Sequence, residues 1–173
     1  MVSVDKIKEY IIDIPDYPKK GVIFRDITPL FSNYEIINSI IDEFAEFAKL
    51  LNIDVIVGAE SRGFLFGVPL SLKIKKPFVL VRKPNKLPRE TYSVSYDLEY
   101  GSSSIEIHKG DIKPGQRVLI IDDLLATGGT VEAIEKLVKM SDGVVAGSAY
   151  LIELESLKGR DKLSGSVFSI LKY

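Results

Sequence analysis

Val118-Leu119-Ile120-Ile121-Asp122-Asp123-Leu124-Leu125-Ala126-Thr127-Gly128-Gly129-Thr130 is the stretch whose reading decides the fold of this 173-residue chain. Four aliphatic residues stop at two adjacent carboxylates, a short loop of small and hydroxyl residues follows, and a helix-compatible segment begins. A continuous aliphatic run bounded in this way is the pattern of a parallel strand buried on both faces, and open α/β sheets bind ligands at the carboxyl ends of such strands. Thr127-Gly128-Gly129-Thr130 can turn consecutive backbone N–H groups and two hydroxyls toward a phosphate at the following helix N-terminus. One Asp would suffice to cap that helix and complement its dipole. Two in tandem suit the hydroxyls of a ribose, each carboxylate being a two-oxygen acceptor. Neither the Gly-x-x-x-x-Gly-Lys-Ser/Thr of a P-loop nor the Gly-x-Gly-x-x-Gly of a dinucleotide fold is present. The local chemistry is that of a ribose carrying a phosphate.

Outward from this stretch, strands and helices alternate. Apolar residues at helical spacing (Val4, Ile7, Ile11, Ile14), with Ser3 as N-cap, predict a first helix over 3–14, and Pro15 and Pro18 predict an irregular segment after it. Asn33 caps a second expected helix, Tyr34 to Leu51, with a broad apolar face. Asp54 to Ala59 reads as a buried strand ending at Glu60-Ser61-Arg62-Gly63, and Phe64 to Leu72 as a helix. Phe78 to Val81 reads as a strand ending at a basic loop, 82–89. Thr91 to Tyr96 and Ser103 to His108 alternate as a hairpin around Tyr100-Gly101. The central strand, 117–122, leads to a helix over Val131 to Met140, a strand over Val144 to Glu153 and a last strand over Val167 to Leu171. This order predicts an α/β fold, a doubly wound and mostly parallel sheet with helices on both faces. The polar loops at 60–63, 82–89 and 122–130 each follow a strand, so they converge on one rim.

Composition narrows the function classes. A formal net charge of −1 gives no electrostatic footprint for nucleic acid. The absence of Cys excludes disulfides, thiolate metal sites and thiol nucleophiles, and a single His disfavours transition metals, so any metal should be a hard ion held by oxygen. No apolar run reaches the roughly 20 residues that span a bilayer, and the first residues lack a signal-peptide plan, so a cytoplasmic protein without membrane contact is expected.

The stretch 118–130 resembles the phosphoribosyl-pyrophosphate (PRPP) motif of type I phosphoribosyltransferases. Further segments narrow the resemblance to the adenine phosphoribosyltransferases. Val22-Ile23-Phe24-Arg25-Asp26-Ile27-Thr28-Pro29-Leu30 resembles their base-binding segment, and Ser61-Arg62-Gly63-Phe64-Leu65-Phe66-Gly67 their pyrophosphate loop. Val81 to Pro88 and Tyr96-Asp97-Leu98-Glu99-Tyr100-Gly101 resemble the basic loop and flexible hood, and Leu157-Lys158-Gly159-Arg160 the C-terminal region. The resemblance implies a single phosphoribosyltransferase domain over 1–173, with an N-terminal helix and base-binding segment at 1–33 and a flexible β-hairpin hood at 84–108. Two positions depart from the pattern: Arg89 stands where Gly is usual, and Lys20-Gly21 where Pro-Gly is usual.

The implied activity is Mg²⁺-dependent transfer of the phosphoribosyl group from PRPP to N9 of adenine, a purine-salvage reaction giving AMP and pyrophosphate, by a homodimer. Asp122 and Asp123 would hold the ribose, and Ala126, Thr127, Gly128, Gly129 and Thr130 the 5′-phosphate. Arg62, Arg82, Lys83 and Lys86 would meet pyrophosphate, and Mg²⁺ would be held mainly by PRPP and water. Ile23, Phe24, Arg25 and Leu125 would form the adenine site, Glu99 would handle a proton with Arg62 as its catalytic partner at the leaving group, and Tyr100 would sit on the hood. Other readings stay open on the residues alone: Phe24 as a core plug, Arg62 as a salt-bridge partner of Glu60, the cations of 82–89 as a solvated loop, Glu99 as a solvent-facing hairpin residue. His108 is an ordinary strand residue in either reading. Two rivals share the PRPP chemistry, an enzyme for hypoxanthine, guanine or xanthine and a non-catalytic PRPP-binding regulator.

Overall fold

A computed structural model describes residues 2–97 and 102–173. The chain packs as two compact units, 1–43 and 44–173.

In the first unit, helix α1 covers only Val4–Lys8, with the Ser3 hydroxyl accepting from the Lys6 N–H at 3.3 Å as expected of an N-cap. The helix expected to reach residue 14 stops early. Turn hydrogen bonds from Tyr10 to Ile7 and from Ile11 to Lys8 close it, and Ile12–Pro15 then forms strand β1. Strand β1 pairs antiparallel with β2, Ile23–Asp26, in the segment read as irregular. The ladder explains the difference: Ile12 and Ile14 satisfy a period of two as well as a helical one, and paired backbone groups outweigh a frayed last turn. Pro15 is tolerated because β1 has no strand on its other side. A 3-10 turn over Thr28–Ser32 precedes helix α2, Tyr34–Leu51, where the Asn33 Oδ1 accepts from the Ile36 N–H at 3.2 Å.

The second unit is built on five strands: β3 (Val55–Ala59), β4 (Phe78–Val81), β7 (Arg117–Leu125), β8 (Val144–Glu153) and β9 (Ser166–Lys172). All pair in parallel, in the order β4-β3-β7-β8-β9, while β5 (Thr91–Asp97) and β6 (Ser102–His108) form a separate antiparallel hairpin. Helix α3 (Arg62–Ile74) follows β3, and α4 (Gly129–Met140) follows β7. The chain leaves β3 outward to β4 and returns on its other side as β7, so the sheet reverses direction between β3 and β7. In open α/β sheets that reversal opens a crevice at the strand carboxyl ends.

Both faces of the sheet are covered, as the doubly wound pattern predicts. Val55, Val57, Val118, Ile120 and Tyr150 pack with Ile134 and Leu137 of α4 and with Ile105 and Ile107 of β6. On the opposite face Phe66 of α3 meets Phe44 edge-on at 5.9 Å between ring centroids, and Phe44 meets Phe168 of β9 at 6.4 Å. Each fully buried aliphatic or aromatic side chain contributes about 1.5–3 kcal/mol, so the sheet is a rigid base for whatever stands on its rim.

One boundary bears directly on the site. The central strand was expected to end at Asp122, yet β7 runs on to Leu125 because β8 is long enough to pair Leu124 with Ile152 and Leu125 with Glu153. Backbone pairing is indifferent to side-chain polarity, so the carboxylates do not end the strand. Asp122 and Asp123 are strand residues, held to a fixed geometry, and the loop before α4 shrinks to 126–128. Among the described residues no helix is long and apolar enough to cross a membrane.

Candidate active site

A cavity of about 290 Å³ opens at the carboxyl ends of β3 and β7, walled by residues 60–62, Tyr96 and the continuous run 122–131. The floor is the end of β7. Asp123 is only 5 % exposed, and the Asp122 Oδ1 accepts a hydrogen bond from the Asp123 backbone N–H at 2.9 Å. Burial, reinforced by the neighbouring Asp123 charge, raises the carboxyl of Asp122 well above the usual carboxylate range. Burial also raises Asp123, and the Arg62 guanidinium opposes that rise. Two carboxylates held side by side out of water are costly to ionise together, so the site is prepared for donors such as hydroxyls or cations.

Arg62 is the first residue of α3, and its Nε lies 3.0 Å from the Asp123 Oδ2. The approach depends on Gly63: a Cβ there would stand 2.7 Å from the Ile121 carbonyl oxygen and 3.2 Å from the Asp122 Oδ1. Only glycine lets the start of α3 sit this close to β7. Glu60, the salt-bridge partner of the alternative reading of Arg62, is engaged elsewhere. Arg82 Nε and Nη2 each donate to Glu60 at 3.2 Å, and the Lys83 N–H donates at 2.9 Å, which together hold the Glu60 carboxyl below its ordinary range. This bidentate clamp joins the exits of β3 and β4. Arg82 also exchanges backbone hydrogen bonds with Glu106 of β6, at 2.9 and 2.7 Å, so the hairpin hangs from the same corner.

Beyond Leu125 the chain forms a cradle. Gly128 is left-handed, with φ of 81°, and occupies the N-cap position of α4 with no side-chain cap. The first N–H groups of this 12-residue helix therefore face the cavity without a capping side chain, as an anion-binding helix terminus requires. The cradle is shaped from outside by Gly159. A Cβ on Gly159 would stand 2.2 Å from the Ala126 carbonyl oxygen, and one on Gly128 would stand 2.6 Å from the Gly159 carbonyl oxygen. The Gly159 loop is fixed by the next residue: Arg160 grips Glu153 through Nε at 2.9 Å and Nη2 at 2.6 Å, and donates to the Val167 carbonyl at 2.8 Å. The Arg160 hydrogen bonds hold Glu153 below the usual carboxylate range.

Arg62, Asp122, Asp123, Leu125 and 126–130 thus share one cavity. Arg82, Lys83 and Lys86 do not line it; Arg82 is clamped on Glu60, and its Nη1 donates to the Lys86 carbonyl at 3.3 Å. Ile23, Phe24 and Arg25 belong to the first unit, on β2, where Phe24 meets Tyr17 edge-on at 5.3 Å and Arg25 pairs with Asp13. Glu99 and Tyr100 lie outside the described residues. Arg89, at the foot of the hairpin, donates through Nη2 to both Asp111 oxygens at 2.9 and 3.0 Å and lies 2.8 Å from the His108 Nδ1. Two residues read in the sequence only as parts of longer segments prove to shape the cavity: Tyr96, whose hydroxyl accepts from the Thr130 hydroxyl at 3.3 Å, and Gly159, which buttresses the cradle.

Comparison with known proteins agrees with this geometry. Residues 32–171 match the family model of the phosphoribosyl transferase domain. The chain is 64 % identical over 173 residues to an adenine phosphoribosyltransferase of Ureaplasma parvum, covering all of both chains. Its structure is similar to that of adenine phosphoribosyltransferase from Thermoanaerobacter pseudethanolicus, with a TM-score of 0.96, 47 % identity and coverage of 99 % and 100 % of the two chains. It is also similar to the Saccharomyces cerevisiae enzyme complexed with an imino-altritol bisphosphate and adenine, with a TM-score of 0.92, 39 % identity and coverage of 96 % and 97 %. On the doubly wound sheet and these likenesses together, the chain belongs to the adenine phosphoribosyltransferase family.

Proposed function

We propose that this protein transfers the 5-phosphoribosyl group of PRPP to N9 of adenine, releasing AMP and pyrophosphate. The observation that carries the reading is the single cavity in which a buried carboxylate pair, an uncapped helix N-terminus and an arginine converge. The likeness to named adenine phosphoribosyltransferases supplies the base. The 5′-phosphate sits on the backbone N–H groups and hydroxyls of 126–130, with negative charge at the positive end of α4. Asp122 and Asp123 accept hydrogen bonds from the ribose hydroxyls, which fixes the anomeric carbon. Arg62 exchanges its Asp123 partner for pyrophosphate oxygens as the substrate enters. Lys83 and Lys86 form the outer pyrophosphate contacts on a loop that Arg82 anchors to Glu60, Ile23, Phe24 and Arg25 receive adenine, and Leu125 packs against the base. As the N9–C1′ bond forms, the C1′–oxygen bond to pyrophosphate breaks, and Glu99 takes the N9 proton with Tyr100 beside it on the hood. Positioning and leaving-group stabilisation supply most of the acceleration.

The donor set fits Mg²⁺ brought in by the substrate. No cluster of three or more His, Cys, Asp or Glu able to hold a metal occurs among the described residues, and Glu60 on the cavity wall is engaged by Arg82 and the Lys83 N–H, so beside phosphate and water oxygens Asp122 and Asp123 are the described carboxylates that would face the ion. A Mg²⁺ ion held there by substrate oxygens and water would supply charge neutralisation for the departing pyrophosphate. We further propose that both units act as one phosphoribosyltransferase domain, in a cytoplasmic homodimer. Steady-state assays with adenine, hypoxanthine, guanine and xanthine, each with PRPP and Mg²⁺, test the reading. Turnover confined to adenine is expected, and intact PRPP binding without turnover of any base would overturn it.

A further inference from the structure

Tyr96 is a cavity residue for which the chemistry above has no use. It is the last described residue on the inward face of β5: Tyr92, Val94 and Tyr96 alternate along the strand and pack on the core shared with α4. Across the hairpin Tyr96 is opposite Ser103 in an unbroken register, so the hairpin fixes where its ring lies. The ring is half-buried, and the hydroxyl emerges at the cavity wall, where the Thr130 Oγ1 donates to it at 3.3 Å. Thr130 is the second residue of α4, in the turn that forms the phosphate cradle. The contact joins residues 34 apart in sequence and is a direct side-chain hydrogen bond between the hairpin and that turn.

A hydroxyl has one proton to give. With the cradle occupied, phosphate oxygens can only accept, so the Thr130 hydroxyl turns its proton to the phosphate. Its oxygen is then left as an acceptor facing the Tyr96 O–H. The chain reverses polarity and runs from Tyr96 through Thr130 to phosphate, each bond polarising the next. Without the Tyr96 donor, the Thr130 oxygen loses a partner when its proton is committed.

We propose that Tyr96 is a positioning residue that couples the hood hairpin to occupancy of the 5′-phosphate site, acting through the Thr130 hydroxyl. The inference rests on the reading of 126–130 as a phosphate cradle, but not on the identity of the base. Tyr96→Phe keeps the ring and its packing and removes only the hydroxyl. In the full-length protein, calorimetric titration with ribose 5-phosphate should show about three- to tenfold weaker binding for Tyr96→Phe, the range expected for one hydrogen bond. Affinity for inorganic pyrophosphate should stay unchanged, and the KM for PRPP should rise while that for adenine does not. In a Thr130→Val background the same Tyr96 substitution should add almost nothing, because the relay is already broken. Ribose 5-phosphate affinity unaffected by Tyr96→Phe would overturn the proposal, and so would losses that simply multiply in the double variant. Wild-type turnover of adenine, measured on the same preparation, reports on the base assignment separately: ribose 5-phosphate binding can still show the coupling if adenine is not the substrate.

Discussion

Replacing Gly159 by alanine drives a methyl group into the outer wall of the cradle proposed to hold the 5′-phosphate. The new Cβ would stand 2.2 Å from the Ala126 carbonyl oxygen and 3.0 Å from the Gly128 backbone nitrogen. Ordinary contact needs roughly 1 Å more than the first of these, and both obstacles are backbone, so neither can swing aside as a flexible side chain could. The Gly159 loop cannot retreat freely, because Arg160 is held by Glu153 and by the Val167 carbonyl. The displacement therefore falls largely on 126–128, the loop that sets the N-terminus of α4. Overpacking of this kind costs about 1–3 kcal/mol, which in a chain of this size lowers Tm by about 2–12 °C. A shift of about 1 Å in groups that position a reacting substrate reduces kcat/KM by up to about 100-fold. Differential scanning fluorimetry and initial-rate kinetics, with PRPP and adenine varied in turn, measure both effects. The loss should appear with PRPP as the varied substrate. If Gly159→Ala retains kcat/KM for PRPP within about twofold of the parent while its Tm falls, the cradle is not shaped by this contact and the reasoning fails.

Asp122→Asn should reduce kcat/KM by about 100-fold or more while raising the stability of the ligand-free protein at pH 7 by about 1 kcal/mol, as expected where function maintains buried charge against stability. The pH dependence has a definite sign. A carboxyl raised in the folded state binds its proton more tightly there than in the unfolded chain, so its contribution is fully present below the unfolded pKa and is lost as pH rises through the folded one. Thermal melts between pH 4 and 8 should therefore show a smaller decline with rising pH for Asp122→Asn than for the parent, and parallel curves would contradict the assignment. Glu60→Gln weakens the clamp on Arg82 and the Lys83 N–H and should lower Tm by about 2–4 °C, read by the same melts. Arg89→Gly removes an ion pair whose guanidinium is largely exposed, so the loss should stay below about 1 kcal/mol and shrink further in high salt. Because the Arg89 guanidinium is engaged by Asp111 and His108, turnover should be unchanged.

The sheet was legible because its strands are short aliphatic runs with no competing periodicity, as in Val55-Ile56-Val57 and Val118 to Ile121. The longer helices were legible for the same reason at the other period. The β1–β2 ladder was not, since strands of four residues separated by a Pro-containing turn present no repeat long enough to read. The end of β7 was misplaced because polarity marks where a strand becomes functional, while backbone pairing decides where it stops. At the site, Asp122, Asp123, Arg62 and the cradle announce themselves through adjacency in sequence. Tyr96 on Thr130, Arg82 on Glu60 and Gly159 on Ala126 do not, because each pairing is made only by the fold.

The contact between Gly159 and the cradle also sets a time order on synthesis. The ribosome delivers 122–130, the residues of the cavity floor, well before it delivers the loop that presses them into shape. Arg160, which secures that loop, takes one of its acceptors from Val167, on the final strand. A growing chain thus carries the residues of the proposed phosphate site before the loop and strand that fix their geometry, and under the proposed function PRPP gains its full hold only once β9 is paired. On that reading, binding competence arrives with β9 rather than with the residues that do the binding.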